Sequence, residues 1–250
     1  MKRLVLKFGG TSVGSIEKIQ NVAKIIKERH EEGNEIIVVV SAMSGDTNQL
    51  IKKSSSISQD FDRKELDTLL ASAEQISCSL LSGAISNLGI KSRSWLGWQI
   101  PIFTDNNHTS AQIMKIETKE IINFISEKGV AVIAGFQGVS SEKRITTLGR
   151  GGSDLSAVVV AKFFKTDSCE IYTDVEGVYT TDPAVNKKAR KIEKISYEEM
   201  LEMASLGSKV MMPESVQTSM TNDIPIHVRS TFSEKIGTII TSEGEIESMK

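Results

Sequence analysis

Short runs of β-branched and other apolar residues alternate along the chain with longer stretches whose apolar positions recur every three or four residues. Residues 4–8, 36–40, 130–134, 170–173 and 226–228 read as strands, several of them apolar at consecutive positions. A strand without a polar face belongs in a sheet covered on both sides, which is how parallel sheets are built into α/β proteins. Ile16, Ile19, Val22, Ala23 and Ile26 repeat at helical spacing behind Ser15, whose hydroxyl suits the N-cap. Leu69, Ala73, Ile76, Leu80, Ala84 and Leu88 form a second stripe, ended by Gly89 where a left-handed C-cap is needed. Residues 157–164 are apolar nearly all round and predict a buried helix. Alternation of this kind predicts the α/β class, as a three-layer αβα sandwich around a mostly parallel sheet.

The serine-rich stretch 52–63 predicts an exposed loop with some helical character, and the polar, acidic residues 241–250 a tail or linker. A division near Phe164 separates a lobe of residues 1–164 from one of 165–240, with a single sheet expected to run through both.

Composition narrows the classes. The chain has 250 residues, 39% hydrophobic and 25% charged, which suits a folded globular protein with a continuous core. A net charge of −2 with both signs interspersed carries no footprint of nucleic-acid binding. No stretch approaches ~18 uninterrupted apolar residues, so no membrane span is expected. The apolar run near the N-terminus breaks at Gly9-Gly10, too early for a secretory signal, and a cytoplasmic location is expected. Cys78 and Cys169 both fall in apolar-periodic segments, as buried reduced thiols do.

Four segments repeat one design, a strand followed by glycine and hydroxyl residues and then a helix: KFGGTSVGS at 7–15, VVVSAMSGDTN at 38–48, GFQGVS at 135–140 and TTLGRGGSD at 146–154. In an open parallel sheet ligands bind beyond the C-terminal strand ends, where glycines admit a phosphate and helix N-termini supply N–H donors. Neither the P-loop nor the Rossmann fingerprint is met, because no loop ends in Gly-Lys-Ser/Thr and GRGGSD has Asp154 where a third glycine is required. Lys7 lies in the first strand and is costly to bury without an anion. It is either an edge residue reaching solvent or a cation aimed at a transferring phosphoryl group. Asp154 suits a helix N-cap or an active-site acid, and Arg150 a surface charge or a carboxylate ligand.

Taken together, KFGGTSV, VVVSAMSGDTN, LLASAEQIS, AGFQG, TTLGRGGSD, YTDVEGVYTTDP and the late GSKV segment resemble the aspartokinases of the amino-acid kinase superfamily, in the same order and over nearly the whole chain. The resemblance implies an eight-stranded sandwich, with L-aspartate held by the N-terminal lobe and ATP with Mg²⁺ by the C-terminal lobe. It implies phosphorylation of the aspartate side chain to 4-phospho-L-aspartate, the entry to lysine, threonine and methionine synthesis, in a homodimer. Lys7 would neutralise the transferring phosphoryl group and Asp154 would organise lysines and substrate. Glu74 would pair with the substrate ammonium and Arg150 with its α-carboxylate, while Ser41 and Thr47 line the site. Gly9 and Gly10 would admit the phosphates, Thr173, Asp174 and Tyr179 would contact the nucleotide, and Lys209 would reach its phosphates. No residue is assigned as a metal ligand.

Several positions depart from the family pattern. Ala73 stands where a glycine usually precedes the substrate glutamate, which is expected to crowd the amino-acid pocket. Ala184 replaces an arginine after Pro183, and Glu214 stands where a cation is common. Two further readings follow from these changes: a kinase for another small amino-acid carboxylate, or a weakly catalytic nucleotide-binding relative. Trp95 and Trp98 are expected to be packing anchors. The ACT domains that commonly follow an aspartokinase catalytic unit have no counterpart here, so feedback by lysine or threonine is not expected of these residues.

Overall fold

A computed structural model describes residues 2–248. In chain order the elements are β1 (Arg3–Phe8), α1 (Ile16–Glu31), β2 (Glu35–Val40), α2 (Asp46–Ile57), α3 (Arg63–Asn87), β3 (Ser92–Trp95), β4 (Ile102–Thr104), β5 (Ile113–Ile116), α4 (Lys119–Ser126), β6 (Val130–Ala134), β7 (Gln137–Val139) and β8 (Ile145–Thr147). They continue as α5 (Gly152–Phe164), β9 (Ser168–Thr173), β10 (Lys194–Ser196), α6 (Tyr197–Ser205), α7 (Pro213–Thr221), β11 (Ile226–Ser230), β12 (Thr238–Thr241) and α8 (Glu243–Ser248).

Eight strands form one sheet in the order β10-β12-β11-β9-β1-β2-β6-β3, and every neighbouring pair is parallel except β11–β12. The expected single sheet therefore runs through both halves, joined where β1 pairs with β9. Because side chains alternate along a strand, each central strand feeds two cores. Leu4, Leu6, Phe8, Val38, Val40 and Val132 pack against Ile19, Val22 and Ile26 of α1 and Cys78, Leu81 and Ile85 of α3. Val5, Val39, Ile133 and Ile171 face the opposite layer, where Ala157, Val158 and Phe164 of α5 and Val216 of α7 are buried. Both cysteine thiols are free and buried, and burial pushes the Cys78 thiol up to about 12.

Ser15 caps α1 as its hydroxyl predicts, accepting from the Lys18 N–H, and Gly89 takes φ +83 just past α3. Other expectations change. Residues 52–57 belong to α2, so the serine-rich stretch is largely helical, with the loop confined to its second half. Thr241 ends β12 fully buried, and residues 243–248 are helical rather than a tail; Met249 and Lys250, like Met1, lie outside the described residues. Trp95 is a core residue at the end of β3, edge-on to Phe124, whereas Trp98 is 51% exposed and lies outside the core.

The largest correction concerns α3. Ala73 of the expected stripe is buried, and Ala84 and Leu88 pack against the core. Ile76 and Leu80 point outward, however, and the buried face also carries Leu70, Ala71, Cys78, Leu81 and Ile85 together with Asp67, Glu74, Ser77 and Ser82. A hydrophobic stripe misplaces a face on which buried polar residues are interleaved. A second, small sheet, β5-β4-β7-β8, was also not anticipated: its strands have three or four residues each and show little alternation. GFQGVS consequently leads into the β7–β8 hairpin, not into a helix.

Candidate active site

Strand parity decides where Lys7 points. It shares the face of Val5, toward the layer of α5, and the first turn of that helix carries Asp154. Lys7 Nζ lies 2.6 Å from Asp154 Oδ1, and Lys7 is only 7% exposed. The edge reading of Lys7 is thereby excluded, since β1 is a central strand. Asp154 is not the N-cap either; Gly151 is, and Asp154 stands three residues inside the helix. An ion pair this far from water contributes little net stability, because desolvation offsets attraction, so its position calls for a chemical reason.

The glycine-rich loops converge beside this pair. Gly10 has no room for a side chain: a Cβ would stand 2.8 Å from the Ala42 carbonyl oxygen, so the loops after β1 and β2 touch backbone to backbone. Gly151 adopts φ +74, and a Cβ there would meet Met212 Cγ at 2.3 Å. Helices α2 and α5 both begin at a left-handed glycine, Gly45 and Gly151, with no side chain capping the first turn. Two helix N-termini without a capping side chain thus open on one space, each presenting the positive end of its dipole, although the Asp46 N–H of α2 and the Gly152 and Asp154 N–H groups of α5 already donate to loop carbonyls.

That space is a cavity of about 740 Å³. Its wall holds Lys7, Gly10, Ser41, Thr47, Glu74, Arg150 and Asp154, which brings together both predicted catalytic residues and all four predicted substrate residues. Glu74 projects from the buried face of α3 and is 3% exposed. Its Oε1 accepts the Ala42 N–H at 3.0 Å, while Oε2 has no partner. Burial, opposed in part by the Ala42 N–H and reinforced by Asp46, raises its carboxyl to about 7. Arg150 is exposed, and no acidic side chain pairs with it among the described residues. Ala73 is buried and does not line the cavity, so the expected crowding by its methyl group is absent.

Of the nucleotide candidates Gly10 lines the cavity, and the others lie elsewhere. Gly9 donates its N–H to the Tyr172 carbonyl, next to Thr173 at the end of β9. Asp174 is exposed and accepts from the Thr173 hydroxyl, Tyr179 donates to Glu176, and Lys209 is exposed in the turn between α6 and α7. Thr173, Asp174, Tyr179 and Lys209 are not part of the 740 Å³ cavity. Lys209 is three residues from Met212, which packs on Gly151, so its turn borders the glycine loop. Glu214 lines a separate groove with Lys162 and Phe163, and Ala184 is exposed in the loop before β10.

None of the three histidines lines the cavity. Among the described residues its only carboxylates are Glu74 and Asp154, and Asp154 is already paired with Lys7. Among the described residues no three His, Cys, Asp or Glu side chains gather to hold a metal ion. Of the cavity side chains, Asp154 could offer a Mg²⁺ ion the kind of oxygen ligand it takes.

The sequence reading missed Thr109, Phe136 and Leu66, which also line the cavity, and it did not single out Thr147 within TTLGRGGSD. Thr109 belongs to the loop between β4 and β5, an element pair too short to register. Its φ of +71 is unusual for a β-branched residue, a signal that exists only in three dimensions.

The chain matches the amino acid kinase family over residues 2–230. It is 48% identical to the aspartate kinase of Pseudomonas putida over 250 residues, all of this chain and 61% of that protein. Among solved structures it resembles aspartate kinase from Synechocystis with a TM-score of 0.87 and 41% identity, over 96% of this chain and 40% of that one. Escherichia coli aspartokinase III, solved in complex with aspartate and ADP, aligns with a TM-score of 0.86 and 25% identity, over 96% of this chain and 65% of that one. The chain therefore spans about three fifths of the length of the curated relatives it matches. A match running from residue 2 to residue 230 takes in the cavity and both halves of the sheet, and on that ground this chain belongs to the amino acid kinase family.

Proposed function

We propose that this chain catalyses ATP-dependent phosphorylation of the side-chain carboxylate of L-aspartate, giving 4-phospho-L-aspartate and ADP. One observation carries the reading: a single cavity holds a buried carboxylate with an unpartnered oxygen, an unpaired guanidinium and an ammonium beside two uncapped helix N-termini. The first two match the ammonium and α-carboxylate of an amino acid, and the last match a transferring phosphoryl group. Relatives named aspartate kinase, and the aspartate and ADP bound to Escherichia coli aspartokinase III, supply the identity of the amino acid.

An acceptor carboxylate with a reference pKa near ~3.9 is ionised at neutral pH, so the reaction needs no general base. This accords with a cavity free of histidine. One carboxylate oxygen forms a bond to the γ-phosphorus as the bond to the β–γ bridging oxygen breaks, and no proton has to move. The difficulty is that two anions must meet. Lys7 neutralises the phosphoryl oxygens, the N–H groups still free at the starts of α2 and α5 donate to them, and Asp154 fixes the direction of the Lys7 ammonium. Mg²⁺ bound with ATP supplies positive charge on the phosphate oxygens. Thr173, Asp174, Tyr179 and Lys209, along the β9 side of the sheet, hold the nucleotide, and residues 1–164 and 165–240 divide the two substrates between them. Work on a metabolite and ATP pool, with two free buried thiols, suits the cytoplasm.

Trapping the acyl phosphate with hydroxylamine, across a panel of amino acids, tests the proposal. Hydroxamate formed with aspartate and ATP is expected. Formation only with another amino acid moves the substrate, and ATP binding without hydroxamate from any acceptor refutes the kinase reading.

A further inference from the structure

Asp67 is fully buried, lines no part of the cavity, and has no role in the chemistry described above. Its carboxylate is nonetheless saturated. Oδ1 accepts the Thr147 hydroxyl at 2.5 Å, both oxygens accept the Thr109 N–H at 3.1 Å, and Oδ2 lies 2.7 Å from His108 Nδ1. A buried carboxylate is a costly way to fill space, and packing alone is met better by an apolar residue. What distinguishes Asp67 is what it grips. Thr109 and Thr147 are cavity residues on two different segments, the β4–β5 loop and the end of β8. Those segments are also joined by the Ala111 N–H on the Thr147 carbonyl, at 2.9 Å.

The grip extends to Arg150. The Thr109 carbonyl oxygen would stand 3.2 Å from a Cβ on Gly149, so the loop backbone rests on the residue before Arg150. Asp67 and Glu74 are seven residues apart on α3, close to two full turns, and therefore share one face about 10.5 Å apart along the axis. One rigid helix thus carries the ammonium-binding carboxylate directly and, through Asp67, the wall that presents the guanidinium.

We propose that Asp67 is a positioning residue that holds the Thr109–Gly149–Arg150 wall at the distance from Glu74 that one α-amino-acid headgroup bridges. The inference rests on the amino-acid reading of the cavity. Releasing the wall misplaces Arg150 relative to Glu74 and costs binding of the amino acid, while the Lys7–Asp154 pair and the nucleotide side keep their geometry.

Asp67→Asn tests this with little change of shape. Both carboxylate oxygens accept the Thr109 N–H, so whichever way the new amide turns, its NH₂ meets that donor. It also meets His108 Nδ1 on one side or the Thr147 hydroxyl on the other, and the grip on the wall is weakened. The variant's KM for aspartate is expected to rise about tenfold or more, since ångström-scale misplacement costs up to about 10²-fold, with the KM for ATP within about twofold. Asp67→Ala, a larger loss, is followed by thermal melting so that unfolding is separated from mispositioning. The deciding measurement is the double variant with Arg150→Ala. If Asp67 acts through Arg150, adding Asp67→Asn to Arg150→Ala raises the KM for aspartate no further; multiplicative effects, as of independent sites, overturn the proposal. A wild-type KM in Asp67→Asn also overturns it. The aspartate reading fails separately, by absence of hydroxamate from the wild type with aspartate; the same KM series is then run on whichever amino acid is phosphorylated, and a wild type that phosphorylates none overturns both.

Discussion

Lys7→Ala removes the one ammonium that lines the cavity among the described residues, and Asp154→Ala releases it from its fixed direction. Either change is expected to lower kcat by at least about 10²–10³-fold, the usual loss for one electrostatic contact to a transition state, with the far-UV spectrum unchanged. Near wild-type turnover in a folded variant removes that residue from the mechanism. Glu74 makes a pH prediction. Burial raises its carboxyl from 4.5 to about 7 in the folded protein. The folded state therefore holds this proton where the unfolded chain has lost it, and the ligand-free protein loses stability as pH rises from about 4.5 through about 7. The loss is on the order of 3 kcal/mol. Urea midpoints should fall more steeply for the wild type than for Glu74→Gln between about pH 5 and pH 8. An ammonium selects the ionised form, so the KM for aspartate should fall over the same interval and Glu74→Gln should flatten the profile. Parallel profiles for the two proteins would leave Glu74 without this role. The residue types at these positions were legible in the sequence, because a lysine in an apolar strand and an Arg-Gly-Gly-Ser-Asp turn ask for anionic partners; the unpartnered Oε2 of Glu74 was not.

Helix α3 separates what periodicity reveals from what it conceals. Leu80 belongs to the hydrophobic stripe yet is 40% exposed, while Leu81 is fully buried against the β1–β2–β6 core. Leu81→Ala is expected to cost about 2–5 kcal/mol and Leu80→Ala less than about 1 kcal/mol. Equal costs in urea unfolding would restore the face suggested by the stripe. The central strands were legible because a doubly covered strand is apolar throughout, and α1 because Ser15 marks its start. The small sheet was not, because strands of three or four residues carry too few positions to show a period. Its β4–β5 loop nevertheless delivers Thr109 to the cavity.

For the molecule as a whole, the consequence of pairing β1 with β9 is that the main eight-stranded sheet is shared by both halves. Both tryptophans, Trp95 and Trp98, lie before residue 164, and all three tyrosines, Tyr172, Tyr179 and Tyr197, after it. Tryptophan fluorescence and tyrosine absorbance therefore report the two halves separately, and coincident urea curves are expected from a single cooperative unit. Two separated transitions would show lobes that unfold independently. From its sequence alone this protein declared its class, its principal strands, the cap of α1 and the residues that meet at Lys7, since each depends on neighbours within a few positions or on the cost of burying a charge. Only the tertiary structure chose the buried face of α3, folded residues 102–116 and 137–147 into a second sheet, and set Asp67 against Thr109 and Thr147. The α3 face and the Asp67 contacts depend on partners distant in sequence. The second sheet depends on strands of three or four residues joined through the Phe103–Val139 pairing. In each case local periodicity carries no information about which groups will meet.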